Sequence, residues 1–412
     1  MVGVSDRSKP YRTYRQRKRH ANGGALDWDS VRGAGSGPPP GGRSGGPGPG
    51  GRRPRRRRSW LRRWTRRVIL TTLTVAGGWL AVAMVSFHLG VREANERVDP
   101  AVRGALSASD GPALTSATNF LIVGTDAGSV RAGDDPDDPG RSDTLILVRS
   151  DPASRRFAML SIPRDLRVEI PGHGTDKVNA AYAYGGAPLV VDTVRSVTGL
   201  PIHHYIEVNF DGFKELVDAL GGITINNPYS IISTPFDGHE WRFAKGEITL
   251  DGRRALAYAR VRGNQLPSPG GLPESDLSRG ERQQRVVRGI ISGVLSPRTL
   301  LHPHSVPRAA AAPLNTQASA HHLAALGLAQ AWATSDQRLQ CRLGGELAML
   351  GGISYVLGTE DNGATIRMFM GRQPPLRPNL ADNPYGPGCF TGEQTRQRDE
   401  VVPRRGLAPR GS

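Results

Sequence analysis

Charged side chains stand at the ends of two apolar stretches in the first half of the chain. The stretches Thr144–Val148 and Phe157–Ile162 are rich in Val, Ile, Leu and Phe and flank a polar turn, as paired β-strands do. Four charged residues border them: Arg141, Asp143, Arg164 and Asp165. Guanidinium groups bind phosphate oxygens in a fork, and carboxylates hold Mg²⁺ beside phosphates. This stretch alone supports two interpretations equally. One is a site for an anion and a metal ion, and the other is a pair of surface salt bridges.

More arginines and aspartates lie at the edges of predicted elements. Asp126 follows the short apolar strand Asn119–Gly124. Arg260 and Arg262 flank Val261, so in an extended segment both arginines project from one face while Val261 faces the core. These positions are where strands and helices end, and side chains from different elements can converge there.

A helix predicted after residue 275 adds three charged side chains at its N-terminal end. Asp276, Arg279 and Arg282 lie in its first turns, where free backbone N–H groups favour an anion. Several guanidinium groups together imply a multiply charged anion, and carboxylates beside that anion require a bridging cation. Spacing alone slightly favours the alternative that these arginines and aspartates neutralise one another as surface pairs over a site for such an anion.

Strands and helices alternate around these residues. Gly199 and the pair Gly221-Gly222 suit helix ends. Apolar spacing predicts helices and strands over these ranges: Pro188–Val197, His204–Asn209, Phe210–Leu220, Ile223–Asn226 and Thr249–Tyr258. Residues 297–370 contain helical patches. Pro, Gly and charge dominate 371–412, where we expect little order.

The strong positive charge belongs to the N-terminal tail. The 412 residues carry a net charge of +17, yet residues 1–67 hold 19 Lys and Arg against 3 Asp and Glu. The remaining residues hold 35 against 34, which disfavours a nucleic-acid partner for the folded part. Rich in Gly, Pro and Arg, residues 1–67 are predicted to be disordered. We expect this tail to attract anionic lipid headgroups, with nucleic-acid binding or docking of cytoplasmic partners as the less favoured alternative.

One stretch is predicted to cross a membrane. Residues 68–89 contain 22 residues without Asp, Glu, Lys or Arg, which as a helix would extend about 33 Å. Trp60 and Trp64 are placed as interface anchors beside four arginines on the N-terminal side. Because positive charge stays inside, the tail is predicted to be cytoplasmic and everything after Leu89 extracellular, starting with a connector over 90–117.

Two cysteines, Cys341 and Cys389, are the only ones in the chain. They are too few for a structural zinc site, and their spacing leaves open whether they form a disulfide outside the cell. Residues 118–296 contain none of the GxSxG, HExxH or P-loop motifs, so they indicate neither a serine hydrolase nor a zinc protease nor a nucleotide-binding loop.

Seven short motifs follow one another in order and together resemble the LytR-CpsA-Psr (LCP) family of membrane-anchored enzymes of Gram-positive and actinobacterial cell walls. They are NFLIVGTD (119–126), RSDTL (141–145), SIPRD (161–165), KVNAAYAYGG (177–186), VNFDGFKELVDALGG (208–222), YARVR (258–262) and SRGERQQ (278–284). The resemblance implies an α/β catalytic domain over 118–296, with a central mixed β-sheet flanked by helices and a hydrophobic groove. Residues 297–370 would then be a helical extension of this domain.

The resemblance also implies an activity and its partners. The enzyme would transfer a phosphate-linked glycopolymer from a polyprenyl pyrophosphate carrier to a peptidoglycan sugar hydroxyl. Asp126 and Asp143 would hold Mg²⁺ (or Mn²⁺) against the pyrophosphate. Arg164 and Arg279 would act in catalysis, with Asp276 orienting or deprotonating the acceptor hydroxyl. Six arginines would bind the pyrophosphate: Arg141, Arg164, Arg260, Arg262, Arg279 and Arg282.

Two other functions fit parts of the sequence. A membrane-bound transcriptional regulator of envelope genes would use the basic tail, but that tail shows no recognition helix. A polyprenyl-phosphate-binding protein without catalytic activity is disfavoured by the intact arginine and aspartate motifs. The transferred polymer stays open between teichoic acid, arabinogalactan-like polymer and capsule.

Overall fold

A computed structural model describes residues 57–109, 111–126, 140–266, 276–294, 296, 299, 301–302, 304–376 and 386–394. The chain divides into two units, Met1–Arg63 and Trp64–Ser412. The sheets and cavities below belong to the second unit. Residues 1–56 of the tail predicted to be disordered lie outside the described residues, whereas residues 57–67 of that tail are helical.

The first helix, α1, extends over Arg57–Glu96. Its part Arg62–Glu96 is long and apolar enough to cross a membrane, judged by length and composition. Large apolar side chains along it, such as Trp79, are exposed, whereas Val91 and Ala94 are buried. The predicted connector therefore begins with helix: α1 continues past Leu89, because its last turns pack on the folded domain.

Seven strands form a central mixed sheet. They are β1 (Thr118–Thr125), β2 (Ser142–Asp151), β3 (Arg156–Ile162), β6 (His204–Asn209), β11 (Asn315–Thr316), β12 (Arg338–Arg342) and β15 (Gly388–Thr391). Their order in the sheet is β11-β6-β1-β2-β3-β12-β15. Strand β1 pairs parallel to β6 and antiparallel to β2, and β3 pairs antiparallel to β2 and parallel to β12.

Smaller sheets surround the central one. The strands β4 (Leu166–Ile170), β5 (Gly174–Lys177), β13 (Gly345–Leu350) and β14 (Ile353–Gly358) form a sheet in the order β13-β14-β4-β5. Two two-stranded sheets pair β7 (Ile223–Asn227) with β10 (Gly246–Leu250), and β8 (Ile231–Ile232) with β9 (Arg242–Phe243).

Helices cover both faces of the central sheet, which confirms the predicted α/β class. Leu145 and Leu147 of β2 belong to a core with helix α3 on one face, and Ile146 and Val148 pack with α6 and α8 on the other. A strand buried on both faces must be apolar throughout, as β2 is. The remaining helices are α2 (Pro100–Ala105), α3 (Ala180–Thr198), α4 (Phe210–Ala219), α5 (Gly252–Arg260), α6 (Asp276–Val294), α7 (Val306–Ala311), α8 (Ala320–Trp332) and α9 (Asp361–Met370).

Two predicted helices have different boundaries. Helix α3 begins eight residues before Pro188, and it is kinked at Gly185 and at Gly186, whose φ of 61° suits glycine. Helix α5 begins only at Gly252, because residues 249 and 250 belong to β10 and the Asp251 side chain accepts a hydrogen bond from the Arg254 amide, 2.8 Å away.

The description of 297–370 as a helical extension is wrong in part. Strands β11 and β12 from this region complete the central sheet, and so does β15, which lies in the segment expected to have little order. Cys341 and Cys389 face each other across β12 and β15 and form a disulfide. Strands of two to five residues carry too little periodicity to be recognised in a sequence.

Candidate active site

A long apolar cavity of about 530 Å³ lies between the central sheet and the helices on one of its faces. Its walls come from β1, β2, β6 and six helices, and only a few of its lining residues are charged. The apolar lining includes Ile122, Ile206, Phe213, Leu216, Leu256, Val286, Val287, Ile290, Ile291, Val294, Leu323 and Leu326.

Helix α6 defines the length of this cavity. The lining residues on α6 run from Arg279 to Val294, which at about 1.5 Å per residue is roughly 22 Å. Apolar pairs recur about one turn apart after Gln283, so one continuous face of the helix is apolar. The first turns of the same helix contribute polar groups, so the cavity has one charged end and an apolar remainder.

Four charged side chains line the charged end of the cavity: Asp143, Arg260, Arg262 and Arg279. They come from the beginning of β2, the end of α5 and the first turns of α6. The structure thus brings together residues separated by up to 136 positions in sequence, as the seven motifs together predict.

A β-bulge turns Asp143 toward the cavity. Gly124 pairs with Thr144 and Thr125 pairs with Ser142, so Asp143 is an extra residue without a partner in β1. In a regular strand Asp143 and Thr144 would point to opposite faces, yet both line the cavity. A bulge of this kind re-aims a side chain next to a functional site.

Asp143 and Arg164 form an ion pair, with 2.8 Å between Oδ1 and Nη1. Arg164 lies just after β3, and its Nε is 3.4 Å from Asp165 Oδ2. Asp165 in turn accepts a hydrogen bond from Lys177 Nζ at 2.7 Å. These side chains are about one-fifth exposed, so they are ordered by each other while still reachable by a ligand.

Arg260 is held between aromatic rings and a carboxylate. Its guanidinium lies 4.9 Å from the centre of the Phe210 ring and 5.6 Å from that of Phe236. Asp237 Oδ2 accepts a hydrogen bond from its Nη1 at 2.5 Å. The expectation of an extended segment is wrong, because Arg260 is the last residue of α5; Val261 is fully buried, as expected.

A narrow cleft of about 40 Å³ adjoins the charged end. It shares Asp143, Arg279 and Gln283 with the large cavity and adds Arg164 and Glu281. Its floor is β12, where Cys341 lies. The cleft is more than ten times smaller than the cavity.

Sequence reasoning missed Gln283, which lines both the cavity and the cleft. It lies four residues after Arg279 on α6, and residues at this spacing share a helix face. That spacing within the SRGERQQ motif is the signal from which it could have been found.

Arg282 lies beside the two cavities but not in their walls. It is 1% exposed, lines neither the cavity nor the cleft, and donates a hydrogen bond from Nη2 to the Val261 carbonyl oxygen at 2.6 Å. Val261 follows the last residue of α5, where carbonyl groups lack helical partners and favour a cation. Arg282 therefore supports the segment that carries Arg260 and Arg262, and its binding of pyrophosphate stays a prediction.

Asp126 and Arg141 lie at the same end of the β1–β2 pair as Asp143. The Asp126 carboxylate accepts a hydrogen bond from the Arg141 amide at 2.6 Å, and the Arg141 side chain is exposed. Neither residue lines the two cavities, so binding of an anion by Arg141 stays a prediction. Asp276 begins α6, but its side chain lies outside the described residues.

Among the described residues, no group of three or more His, Cys, Asp or Glu side chains is arranged to hold a metal ion. Asp126 and Asp143 supply two carboxylates at one end of neighbouring strands. Mg²⁺ typically takes one or two protein carboxylates and completes its shell with water and substrate phosphate oxygens. Two carboxylates are compatible in number with a Mg²⁺ ion shared with a phosphate, and metal binding by Asp126 and Asp143 stays a prediction.

Curated proteins resemble the chain over the region of the site. It is 36% identical over 238 residues to the polyisoprenyl-teichoic acid–peptidoglycan teichoic acid transferase TagU of Enterococcus faecalis, covering 58% of this chain and 73% of that protein. The protein of the same name from Bacillus subtilis is 41% identical over 175 residues. The chain spans about half of that relative, 51%, and the match covers 42% of this chain.

A solved structure and a family model agree with these relatives. The crystal structure of B. subtilis TagV aligns with a TM-score of 0.52 at 30% identity, covering 62% of this chain and 96% of that one. The model of the LytR_cpsA_psr family matches residues 85–368, which include every motif and the whole cavity lining. The chain belongs to the LytR-CpsA-Psr family.

Proposed function

We propose that this protein transfers a phosphate-linked glycopolymer from a polyprenyl pyrophosphate carrier to a hydroxyl group of peptidoglycan. The observation that carries the proposal is the combination of a long apolar cavity with three arginines and an aspartate at one end. A ligand that matches both parts has a long apolar chain and a multiply charged phosphate head. The relatives named as teichoic acid transferases support this class of donor and acceptor.

The reaction divides the pyrophosphate between donor and product. The acceptor oxygen forms a bond to the phosphorus that carries the glycopolymer, and the bond from this phosphorus to the bridging oxygen breaks. Polyprenyl phosphate leaves with that oxygen, and the hydroxyl proton passes to a base. Charge spreads over the phosphate oxygens during such a transfer, so its catalysis depends on positioning and on fixed positive charge.

The arginines supply that positive charge. Arg260, Arg262 and Arg279 line the end of the cavity, and Arg164 lines the adjoining cleft. A planar guanidinium binds two phosphate oxygens at once and keeps its charge at every physiological pH. The ring contacts and the Asp237 ion pair of Arg260 fix its plane before a ligand arrives.

Asp126 and Asp143 would hold Mg²⁺ (or Mn²⁺) against the pyrophosphate. When bound, the ion would neutralise phosphate charge and polarise the P–O bonds. Asp143 is ion-paired with Arg164, so a metal ion and Arg164 compete for this carboxylate. A phosphate that binds Arg164 can release Asp143 for the metal.

The acceptor hydroxyl would approach through the narrow cleft. In-line transfer places attacking and leaving oxygens on opposite sides of the phosphorus. If the polyprenyl phosphate leaves into the large cavity, the hydroxyl must come from the other side of Asp143 and Arg279, where the cleft lies. We keep Asp276 as the group that orients or deprotonates the hydroxyl, since it begins the helix that carries Arg279.

The protein would act at the outer face of the cell membrane. Residues Arg62–Glu96 have the length and composition of a membrane-spanning helix. The arginines on its N-terminal side favour a cytoplasmic location for residues 1–67 and an extracellular one for the domain. Anionic lipid headgroups would bind the basic tail.

Turnover by the purified full-length protein tests this function. The assay contains a synthetic polyprenyl pyrophosphate sugar, peptidoglycan fragments and Mg²⁺, with mass spectrometry of the phosphodiester product. We expect metal-dependent product that is lost in Asp143→Ala and Arg164→Ala. Donor binding without product, over several donors and acceptors, would instead identify a lipid-binding protein. The polymer could be teichoic acid or another envelope polymer, and the choice of donors distinguishes them.

A further inference from the structure

We infer that the polyprenyl chain passes from the membrane directly into the cavity alongside α1, at Phe87. This inference rests on the proposed function, since it concerns how the same donor reaches the site. Phe87 lies in α1 within the stretch that could cross a membrane, and its side chain lines the large cavity. One helix thus has a surface toward lipid and a residue in the wall of the binding site.

Phe87 lies in an apolar part of the cavity wall. It packs with Val91, Ala311, Ala320 and Leu323, which come from α1, α7 and α8. Ala311 and Leu323 line the cavity beside it. The side of the cavity at α1 is therefore suited to an apolar chain and not to the charged head.

The last turns of α1 are fixed to the domain by close packing. A Cβ atom added at Gly90 would lie 2.7 Å from the Arg308 carbonyl oxygen, closer than such atoms approach, so only glycine fits there without movement. Two polar contacts hold the same interface: Arg308 pairs with Glu93, and Arg97 donates to the Ala312 carbonyl oxygen. The cavity wall at Phe87 is therefore held next to α1 by these contacts.

An apolar chain has a physical reason to take this route. Each methylene that leaves the bilayer through water exposes apolar surface, which costs free energy in proportion to its area. Along α1 the exposed apolar side chains extend to Val85 and Leu89, and Phe87 lies between them. A path past these residues exchanges lipid contacts for cavity contacts, while the pyrophosphate stays outside the apolar walls.

Photo-crosslinking in vesicles tests the route without relying on turnover. The full chain is reconstituted in phosphatidylglycerol vesicles containing an undecaprenyl pyrophosphate sugar, with p-benzoylphenylalanine at one position at a time. The positions are Phe87, Phe213 inside the cavity, and Trp79 on the exposed surface of α1. We expect crosslinks to the donor at Phe87 and Phe213, and their yield should fall at least fivefold when excess unlabelled donor is added. The yield of any crosslink at Trp79 should not change when that donor is added.

Either of two other results would contradict entry of the chain at Phe87. A competed crosslink at Phe213 without one at Phe87 would show that the chain fills the cavity but enters elsewhere, and the proposed function would survive. No competed crosslink at either position would remove the cavity as the donor site, and both proposals would fail together. The turnover assay is an independent test, because it measures product and not the route by which the polyprenyl chain enters the cavity.

A matched pair of glycine substitutions gives a second measurement. Gly90→Ala forces α1 away from Arg308, whereas Gly78→Ala lies in the same helix with no atom within 4 Å of the added Cβ. We expect Gly90→Ala to raise KM at least fivefold for the long-chain donor in vesicles and less than twofold for a water-soluble short-chain donor. Gly78→Ala should change neither. Equal effects of Gly90→Ala on both donors would overturn the route and point to a change in the site itself.

Discussion

At the scale of single residues, the site depends on a few side chains held by neighbours from other elements. Asp143 and Arg164 are half-buried partners, and Arg260 is fixed by two rings and Asp237. Partly exposed ion pairs contribute little to stability, about 0–1 kcal/mol. Changes at these positions should therefore separate activity from folding.

Arg164→Lys keeps the charge but removes the planar fork. We expect kcat to fall about 100-fold or more, the size of the effect when one fixed donor to a transition-state oxygen is lost. Arg167→Lys is the control, because Arg167 is exposed on β4 three residues away. The rate of product formation is measured for both variants. An equal rate for Arg164→Lys and the unmodified protein would contradict a bidentate role of Arg164.

Asp143→Asn tests the carboxylate with little change in shape. We expect the Mg²⁺ concentration for half-maximal rate to rise at least tenfold, since the amide is a poorer ligand for a hard cation. The free energy of unfolding should change by less than about 1 kcal/mol, because the lost ion pair is partly exposed. Urea titration measures the free energy of unfolding, and rates over a series of Mg²⁺ concentrations give the concentration for half-maximal rate. A loss of stability with unchanged magnesium dependence would make Asp143 a structural residue.

At the scale of elements, two features of the central sheet lie outside the large cavity. One is His204, at the beginning of β6. Burial of its ring is the main cause that lowers its pKa to about 3, and the nearby His322 and His203 lower it further. Its ring centre lies 4.2 Å from that of His322 and 4.8 Å from that of Phe120. The other is the disulfide that joins β12 to β15.

The buried His204 should make stability depend on pH. An unfolded histidine has a pKa of about 6.5, so as pH falls the unfolded chain binds this proton first. The contribution of neutral His204 is present above pH 6.5 and is lost as pH falls toward 3. We expect His204→Gln to reduce the pH slope of the unfolding free energy by up to about 1.4 kcal/mol per unit between pH 6 and 4.

Denaturant unfolding at several pH values measures that slope. His173→Gln is a suitable control, because His173 is exposed and stacks on Tyr184. An unchanged slope in His204→Gln would mean that His204 is already solvated in the folded protein.

The disulfide should matter to stability and, indirectly, to the cleft. Replacing Cys341 and Cys389 by Ser opens a loop of 48 residues, which by loop-closure entropy costs about 4 kcal/mol. Gln284 donates to the Cys341 carbonyl oxygen at 2.9 Å and follows Gln283, so looser β12 also loosens the cleft. We expect a lower melting temperature and a higher KM for the acceptor, with an unchanged KM for the donor. A rise in the donor KM alone would contradict this coupling.

At the scale of the whole molecule, the family membership and the cavity assign the activity to the folded domain and not to the basic tail. Deleting residues 1–56 should leave product formation in vesicles within about twofold, since the proposed attraction of the tail to anionic lipid would be a separate electrostatic contribution. The same deletion should still complement a strain that lacks the gene, whereas Arg164→Ala should not. Failure of the deletion to complement, with turnover intact, would favour the regulatory function.

Much of the architecture could be read from sequence. Strands β1, β2, β3 and β6 and helix α4 agree with prediction within a few residues, because their apolar spacing is regular and glycines mark the helix end at Gly221-Gly222. The short strands β11, β12 and β15 were not recognised, since they take part in the sheet through partners far away in sequence.

The sequence by itself determined which residues carry charge at element edges, the apolar stretch within α1 and the family. Tertiary structure alone decided how those residues are used. The pairing register of β1 and β2 creates the bulge that aims Asp143 at the cavity, and no local pattern records a register. The packing of α6 against the end of α5 buries Arg282 while Arg279, one turn away, faces the cavity. Charge type is local, whereas direction and burial depend on contacts between distant elements.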